Sequence, residues 1–398
     1  MIRAKQMPEA REETDRLFTA AAKLTDSNGY YMLQDFHRQI AQAYHQAGAY
    51  TEAETAYREW LKFVEKTPEP SRGGVRIDPL GNAMNNWAGF YRNFGREAEA
   101  EKLLRRVAEQ YQARGNVPDT TLVALAECLL SQNDIPEAEA QLKRSMSDPG
   151  SGYRPIIWAQ ALLPLYRGLA IMHAAAPLPG PGRSLSGVEL DIMSRKPDAA
   201  AREAFAAAEP LLKAVKEHWD AEKRSTSEYN AQYTNYYNAL AINSYASALI
   251  VQGKFAEAKP LLAKGRELAE AAQPVLLQSG RDIRVSGNIV FGELAPFFIT
   301  QAALRFRELQ AAQGSPKDVL ADVVAPLEVA LAERAELYGT WSPQYGRVLL
   351  NLGTAYAVTG ETDKAKKALS EAKALFEGML GKDDPAVATI AARLEKLK

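Results

Sequence analysis

The chain has 398 residues, 46% hydrophobic and 24% charged, the balance of a folded globular protein and not of a disordered one. Its 48 basic and 49 acidic residues leave a net charge of −1, so nothing general draws it to nucleic acid or to an anionic membrane. The one cysteine, Cys128, excludes an internal disulfide and a cysteine-rich zinc site, and no apolar run is long enough to span a bilayer.

The segment Met1 to Asp15 is charged and lacks the apolar core of a signal peptide, which reads as cytoplasmic, or as periplasmic or secreted had a signal been removed. Pro8 to Leu24 predicts an extra helix within residues 1–30. Residues 31–148 predict three helix pairs. The first turns at Gly48, with Ile40, Ala41 and Tyr44 before it and Ala53, Tyr57 and Trp60 after it. A linker rich in proline and glycine, Thr67 to Gly81, leads to the second. That pair turns at Gly95, with Trp87, Ala88 and Tyr91 before and Ala100, Leu104 and Val107 after. The third turns at Asn133, between Leu125, Ala126, Leu129 and Ala138, Leu142, Ser145.

Residues 149–224 predict a degenerate fourth pair, Ile156 to Ala175 with Ala199 to Lys223, in which Phe205 and Leu212 face inward. Pro177 to Pro197 is a loop inserted inside that pair, expected to be exposed and mobile from Gly180 to Ser194. Residues 225–273 repeat the pattern at Gly253, between Tyr245, Ala246, Leu249 and Ala258, Leu262, Gly265. Residues 274–339 predict a degenerate sixth pair, Glu293 to Ala312 with Pro316 to Tyr338. Residues 340–383 give a seventh at Gly360, between Leu352, Gly353, Tyr356 and Ala365, Leu369, Ala372. Pro385 to Leu397, in residues 384–398, reads as a polar-faced cap, which an open-ended stack of repeats requires. Ser315-Pro316, Ser342-Pro343 and Asp384-Pro385 each place a capping oxygen before a proline at the first helical position. No segment shows a convincing strand alternation.

Large residues three and four places apart give each helix one apolar face, and the small residues mark where paired helices come closest. This spacing, matched in five segments, resembles the tetratricopeptide repeat family. The resemblance implies one all-α, right-handed solenoid of about seven helix pairs over residues 1–398, with an extra helix in front and a capping helix behind. Tyr338-Gly339 through Pro343 and Leu380-Gly381 through Pro385 look alike, and their prolines lie 42 residues apart. That longer spacing is similar to the kinesin light chain branch of the family, over about the last sixty residues, and implies a subtype and not motor binding.

The residues that carry chemistry elsewhere form no signature here. His37, His45, His173 and His218 do not pair at helical metal-ligand spacing. His37 falls on the packing side of its helix. Gly180-Pro181-Gly182 and Gly287 to Gly292 lack both the lysine and the preceding strand of a phosphate-binding loop. Cys128 lies in the apolar stretch Leu122 to Leu130 and reads as a buried small hydrophobe. Glu97, Glu99, Glu101, Glu137 and Glu139 read as a solvated outer surface. The sequence therefore predicts no enzyme, no cofactor and no metal.

In a curved stack the first helix of each pair lines the concave side. The register points Arg38, Gln42 and His45 inward from the first pair, and Asn82, Asn85, Gly89 and Arg92 from the second. It points Glu127 inward from the third, Asn243 and Ser247 from the fifth, and Arg347 and Thr354 from the seventh. Amides can bond the backbone of an extended ligand and arginines can pair with carboxylates, so these residues are either a groove for a peptide or solvated polar positions. Tyr229, Tyr233, Tyr236 and Tyr237 are open to the same two readings, contact surface or helix packing. The first expectation is a protein- or peptide-binding scaffold whose partner carries an acidic or carboxylate-bearing segment. The second is a helical-repeat enzyme or small-molecule sensor with a pocket of unfamiliar type.

Overall fold

Alanine decides where these helices meet. The residue five places after each turn, Ala53, Ala100, Ala138, Ala258 or Ala365, is wholly buried. A side chain of one carbon lets two helices approach, and the larger residues further along fill the space on either side. Tyr57 and Trp60, Leu104 and Val107, Leu142, Leu262, and Leu369 with Ala372 share that face and are buried with it. The spacing read from the sequence is the packing register of the molecule.

The computed structural model describes residues 12, 16, 19, 27–46, 50–67, 78–93, 96–115, 117–132, 134–145, 161, 163–165, 167–169, 171–172, 197–221, 228–272, 285–286, 289–290, 293–315, 318 and 320–397. Gly48, Gly95, Asn133, His173 and nearly all of the predicted insertion lie outside them. The helices are α1 Ser27–Gln46, α2 Tyr50–Lys66, α3 Pro79–Asn93, α4 Glu97–Ala113, α5 Asp119–Ser131, α6 Ile135–Ser145 and α7 Ala199–Ala221. Then follow α8 Glu228–Val251, α9 Phe255–Ala271, α10 Ala295–Ala311, α11 Ala325–Tyr338, α12 Pro343–Val358, α13 Thr362–Leu380 and α14 Pro385–Glu395. The one strand pair among the described residues is short and antiparallel, β1 Val285–Ser286 and β2 Ile289–Val290, with Val285 opposite Val290. Two residues per strand are too few to register as an alternation in sequence.

The chain divides into two compact units, residues 1–91 with 99–117 and residues 92–98 with 118–398. In the first, α1 packs on α2, and the Tyr57 ring of α2 meets Phe90 of α3 at 5.3 Å. Tyr91 donates a hydrogen bond to Glu54 at 2.9 Å. Asp78 caps α3 by accepting from the Gly81 N–H at 3.1 Å, directly before Pro79. This is a fourth carboxylate- or hydroxyl-before-proline start, beyond the three expected.

In the second unit consecutive helices pack on one another from α7 through α14, with the π-helical turn Leu320–Val324 between α10 and α11. Of the expected fourth pair, α7 is described, while most of residues 156–175 lie outside the described residues. Phe205 and Leu212 are wholly buried, and a β-carbon on Gly168 would stand 2.8 Å from the Phe205 ring. Gly253 and Gly360 turn with φ of +79° and +78°, the left-handed region that glycine enters without strain. Ser342 accepts from the Tyr345 N–H at 3.2 Å, Asp384 from the Ala386 N–H at 2.8 Å and Ser315 from the Asp318 N–H at 3.4 Å. Val387 and Ile390 of the capping helix are buried against Leu375 and Phe376.

Candidate functional site

The first unit brings four of the expected groove residues onto one face. Arg38 Nη1 donates to Gln42 Oε1 at 3.1 Å, one turn along α1. Gln42 Nε2 then crosses to α3 and donates to Asn86 Oδ1 at 3.2 Å. Asn86 in turn donates to the Asn82 carbonyl at 2.8 Å. The result is a ladder of amides across two helices. Asn82 is exposed, and Arg38, Gln42, Asn85 and Asn86 are half-exposed. Asn86 was not among the expected residues, because it lies nine places before the turn and the inward positions were taken three, six and ten places before.

The charge of this face is smaller than the sequence suggests. Arg38 forms an ion pair with Asp35, and its Nε donates to the same carboxylate at 3.1 Å. His45 stands edge-on to Phe90 at 5.2 Å, and burial lowers its pKa to about 4, so it is neutral at physiological pH. His37, tilted against Phe63 at 5.0 Å, is lowered to about 4 by burial as well.

Four expected groove residues are buried and present no open surface. Arg92 is 2% exposed, Arg347 8%, and Asn243 and Ser247 are wholly buried. The reason for the last two is α8 itself. Its residues are apolar or small on every side, from Ala239 and Ile242 to Ala248 and Ile250, and α7, α9 and α10 pack around it. Ser247 satisfies its hydroxyl by donating to the Asn243 carbonyl at 2.9 Å. Arg92 is sealed among carboxylates: its Nη2 donates to Glu127 Oε2 and its Nε stands 3.7 Å from Glu97 Oε2. Glu97 is thereby corrected too. It was expected on a solvated surface and is 6% exposed.

Cys128 is wholly buried, and burial pushes its thiol well above the ordinary range, as expected of a packing residue. Tyr236 is buried and Tyr237 stacks on Trp219 at 6.0 Å, the packing role. A further buried network went unseen in the sequence. Arg334 pairs with Glu293 at 3.0 Å and donates to the Gln344 carbonyl at 2.9 Å, and Tyr338 donates to Glu293 at 2.8 Å. A groove of about 930 Å³ runs beside α9, α10 and the π-helical turn over Leu262, Phe297 and Leu304. Its charged rim is neutralised from within, by Lys259–Glu308, Arg266–Glu270, Lys264–Glu267 and Arg305–Asp322 pairs. Among the described residues no three His, Cys, Asp or Glu side chains gather to hold a metal, and no helix is long and apolar enough to cross a membrane.

Comparison with known proteins gives one match at the level of sequence family, to the tetratricopeptide repeat over residues 80–147. No curated protein sequence matches the chain. Solved structures found by the comparison include yeast Tom70, at 12% identity and a TM-score of 0.28, covering 93% of this chain and 96% of that one. Another is the Cut9–Hcn1 hetero-tetramer of the APC/C, at 12% identity and 0.24, covering 92% and 94%. A third is Naa15/Naa10 bound to HypK, at 15% and 0.21, covering 98% of this chain and 59% of that one. TM-scores of this size establish no common shape for the whole chain. Residues 80–147, which span most of α3 to α6, match the tetratricopeptide repeat, and the chain that carries them is built of helices packed in succession among its described residues.

Proposed function

We propose that the chain is a scaffold that binds a protein or peptide segment, and that the α1–α3 face takes the main chain of an extended segment. The observation that carries this reading is the amide pair of Gln42 and Asn86, with Asn86 bonded in turn to the Asn82 main-chain carbonyl, flanked by Asn85 and left half-open to solvent. An amide offers a donor and an acceptor side by side, the same pair that an extended peptide presents along its backbone. Such recognition reads shape and hydrogen-bond spacing more than charge. Arg38, already shared with Asp35, contributes little pull on an acidic segment, so a carboxylate on the ligand is a secondary preference.

The test uses peptides selected from a displayed random library against the full chain. The pair Gln42→Ala with Asn85→Ala should weaken the selected peptides at least tenfold, about 1.4 kcal/mol, with an unchanged melting temperature. Peptides that bind the double variant as tightly as the parent would place the site elsewhere, and competition by a groove variant at Leu304 would then point to α9 and α10.

A further inference from the structure

Asp35 already matches the charge of Arg38, yet Arg38 stands at the head of a run of hydrogen bonds that all point one way. Asp35 holds the guanidinium through Nε at 3.1 Å and through Nη2. Nη1 is left to donate to Gln42 Oε1 at 3.1 Å. Gln42 Nε2 donates to Asn86 Oδ1 at 3.2 Å, and Asn86 Nδ2 to the Asn82 carbonyl at 2.8 Å. The sense of the run has a chemical cause. A guanidinium only donates, a main-chain carbonyl only accepts, and an amide turns either its oxygen or its nitrogen to a neighbour. Facing Arg38, Gln42 must turn its oxygen, which leaves its nitrogen for Asn86. Facing the Asn82 carbonyl, Asn86 must turn its nitrogen, which leaves its oxygen for Gln42. A donor at one end and an acceptor at the other therefore impose the same order on both amides.

We propose that the α1–α3 face takes an extended segment in one direction only, its N-terminal end over α1 and its C-terminal end over α3, with Arg38 and Asn86 as the positioning residues that fix that direction. The inference rests on the reading of this face as a main-chain site. Gln42 and Asn86 each keep a second lone pair on oxygen and a second hydrogen on nitrogen. Gln42 turns its oxygen to α1 and its nitrogen to α3, and Asn86 turns its oxygen to α1 and its nitrogen back along α3. A residue in an extended chain presents its own N–H and C=O on the same side, with the N–H first in chain order. It meets both atoms of one amide only with its N–H over the oxygen and its C=O over the nitrogen. Across Gln42 that order runs from α1 to α3. A reversed segment sets N–H against N–H and oxygen against oxygen, and both bonds are lost. Arg38 thus acts on the ligand through Gln42, by the order it imposes and not by its charge.

Cross-linking reads the direction. Peptides selected from a displayed random library against the full chain are made with a benzophenone at one end or the other, and the labelled helix is identified by mass spectrometry. On the parent, the N-terminal probe should label α1 and the C-terminal probe α3, about tenfold over the reverse pattern, the size expected when both amide bonds are lost. Arg38→Lys still only donates and should keep the pattern. Asn86→Ala should keep it too, because Arg38 still orients Gln42. The pair Arg38→Leu with Asn86→Ala leaves Gln42 and Asn85 to bind but nothing to orient Gln42. Peptides selected afresh on that double variant should fall into both directions in similar amounts. Parent peptides that cross-link both ways or in the reverse order, or a double variant that keeps the direction of the parent, overturn the assignment while the face remains the site. Peptides that bind undiminished to Gln42→Ala with Asn85→Ala remove the face as the site, and the direction with it.

Discussion

Arg38 and Gln42 stand ten and six residues before the first turn, and Asn243 and Ser247 stand at the same places before the fifth. The first two are half-exposed and bonded in a ladder on the surface, while the second two are wholly buried. Register sets the side of a helix that a residue takes. Whether that side meets water is set by what else packs there, and α8, packed by α7, α9 and α10, has no wet side over residues 238–251. The same contrast divides the arginines. Arg38 shares Asp35 at the surface, whereas Arg92 shares Glu97 and Glu127 in the interior.

That difference has energetic consequences. Arg92→Ala removes the partner of a buried carboxylate pair and should cost about 3–5 kcal/mol in urea unfolding of the full chain. Arg38→Ala breaks a surface pair between neighbours on one helix and should cost under about 1 kcal/mol. Equal costs for the two would erase the distinction between the surface ladder and the sealed cluster. Ala53→Leu in the first unit and Ala258→Leu in the second probe a feature the two units share. Each adds volume where paired helices touch, and each should destabilise by about 1–3 kcal/mol. An unchanged melting midpoint for both would break the common register.

A further difference concerns pH. His37 and His45 have pKa values near 4 in the folded first unit, against an ordinary value of 6.5. The unfolded chain therefore binds protons that the folded unit refuses, so their contribution is complete above pH 6.5 and is lost as pH falls toward 4. Glu97, in the second unit, has the opposite sign over an overlapping window, from 4.5 to about 7. Hydrogen exchange in α1 should accordingly show weaker protection at pH 5 than at pH 7, after correction for intrinsic rates. His45→Gln should shrink that difference, and an unaltered difference would assign it to His37.

Much of the fold was legible because it is local. Five alanines at one offset, prolines behind capping residues and apolar faces at helical spacing are decided within a few tens of residues, and the structure repeats them. The site was legible in part, and the failures have one cause. Arg92 is buried because Glu127 comes from the next repeat, and Glu97 is buried because the Arg92, Cys128 and Glu127 side chains converge on it. Such meetings depend on tertiary approach, to which a repeat template is blind. The Arg334–Glu293 pair, 41 residues apart in sequence, escaped notice for the same reason. Asn86 escaped for a different one: a residue between two template positions still reaches the neighbouring helix when its side chain is long enough.

The two linkers at the C-terminal end share one geometry. Gly339 has φ 79° and ψ 164°, Gly381 has φ 92° and ψ 160°, and each is followed by a capping oxygen and a proline that opens the next helix. Each glycine N–H returns to a carbonyl four residues back, Ala335 in one and Glu377 in the other. A segment bounded by two such joints is a cassette. The glycines at its entrance and exit hold the same left-handed conformation, while the capping residues differ, Ser342 at φ −143° and Asp384 at φ −66°. What the two joints have in common is therefore a position that only glycine suits, and any side chain placed at Gly339 or Gly381 would be strained although there is open space around it.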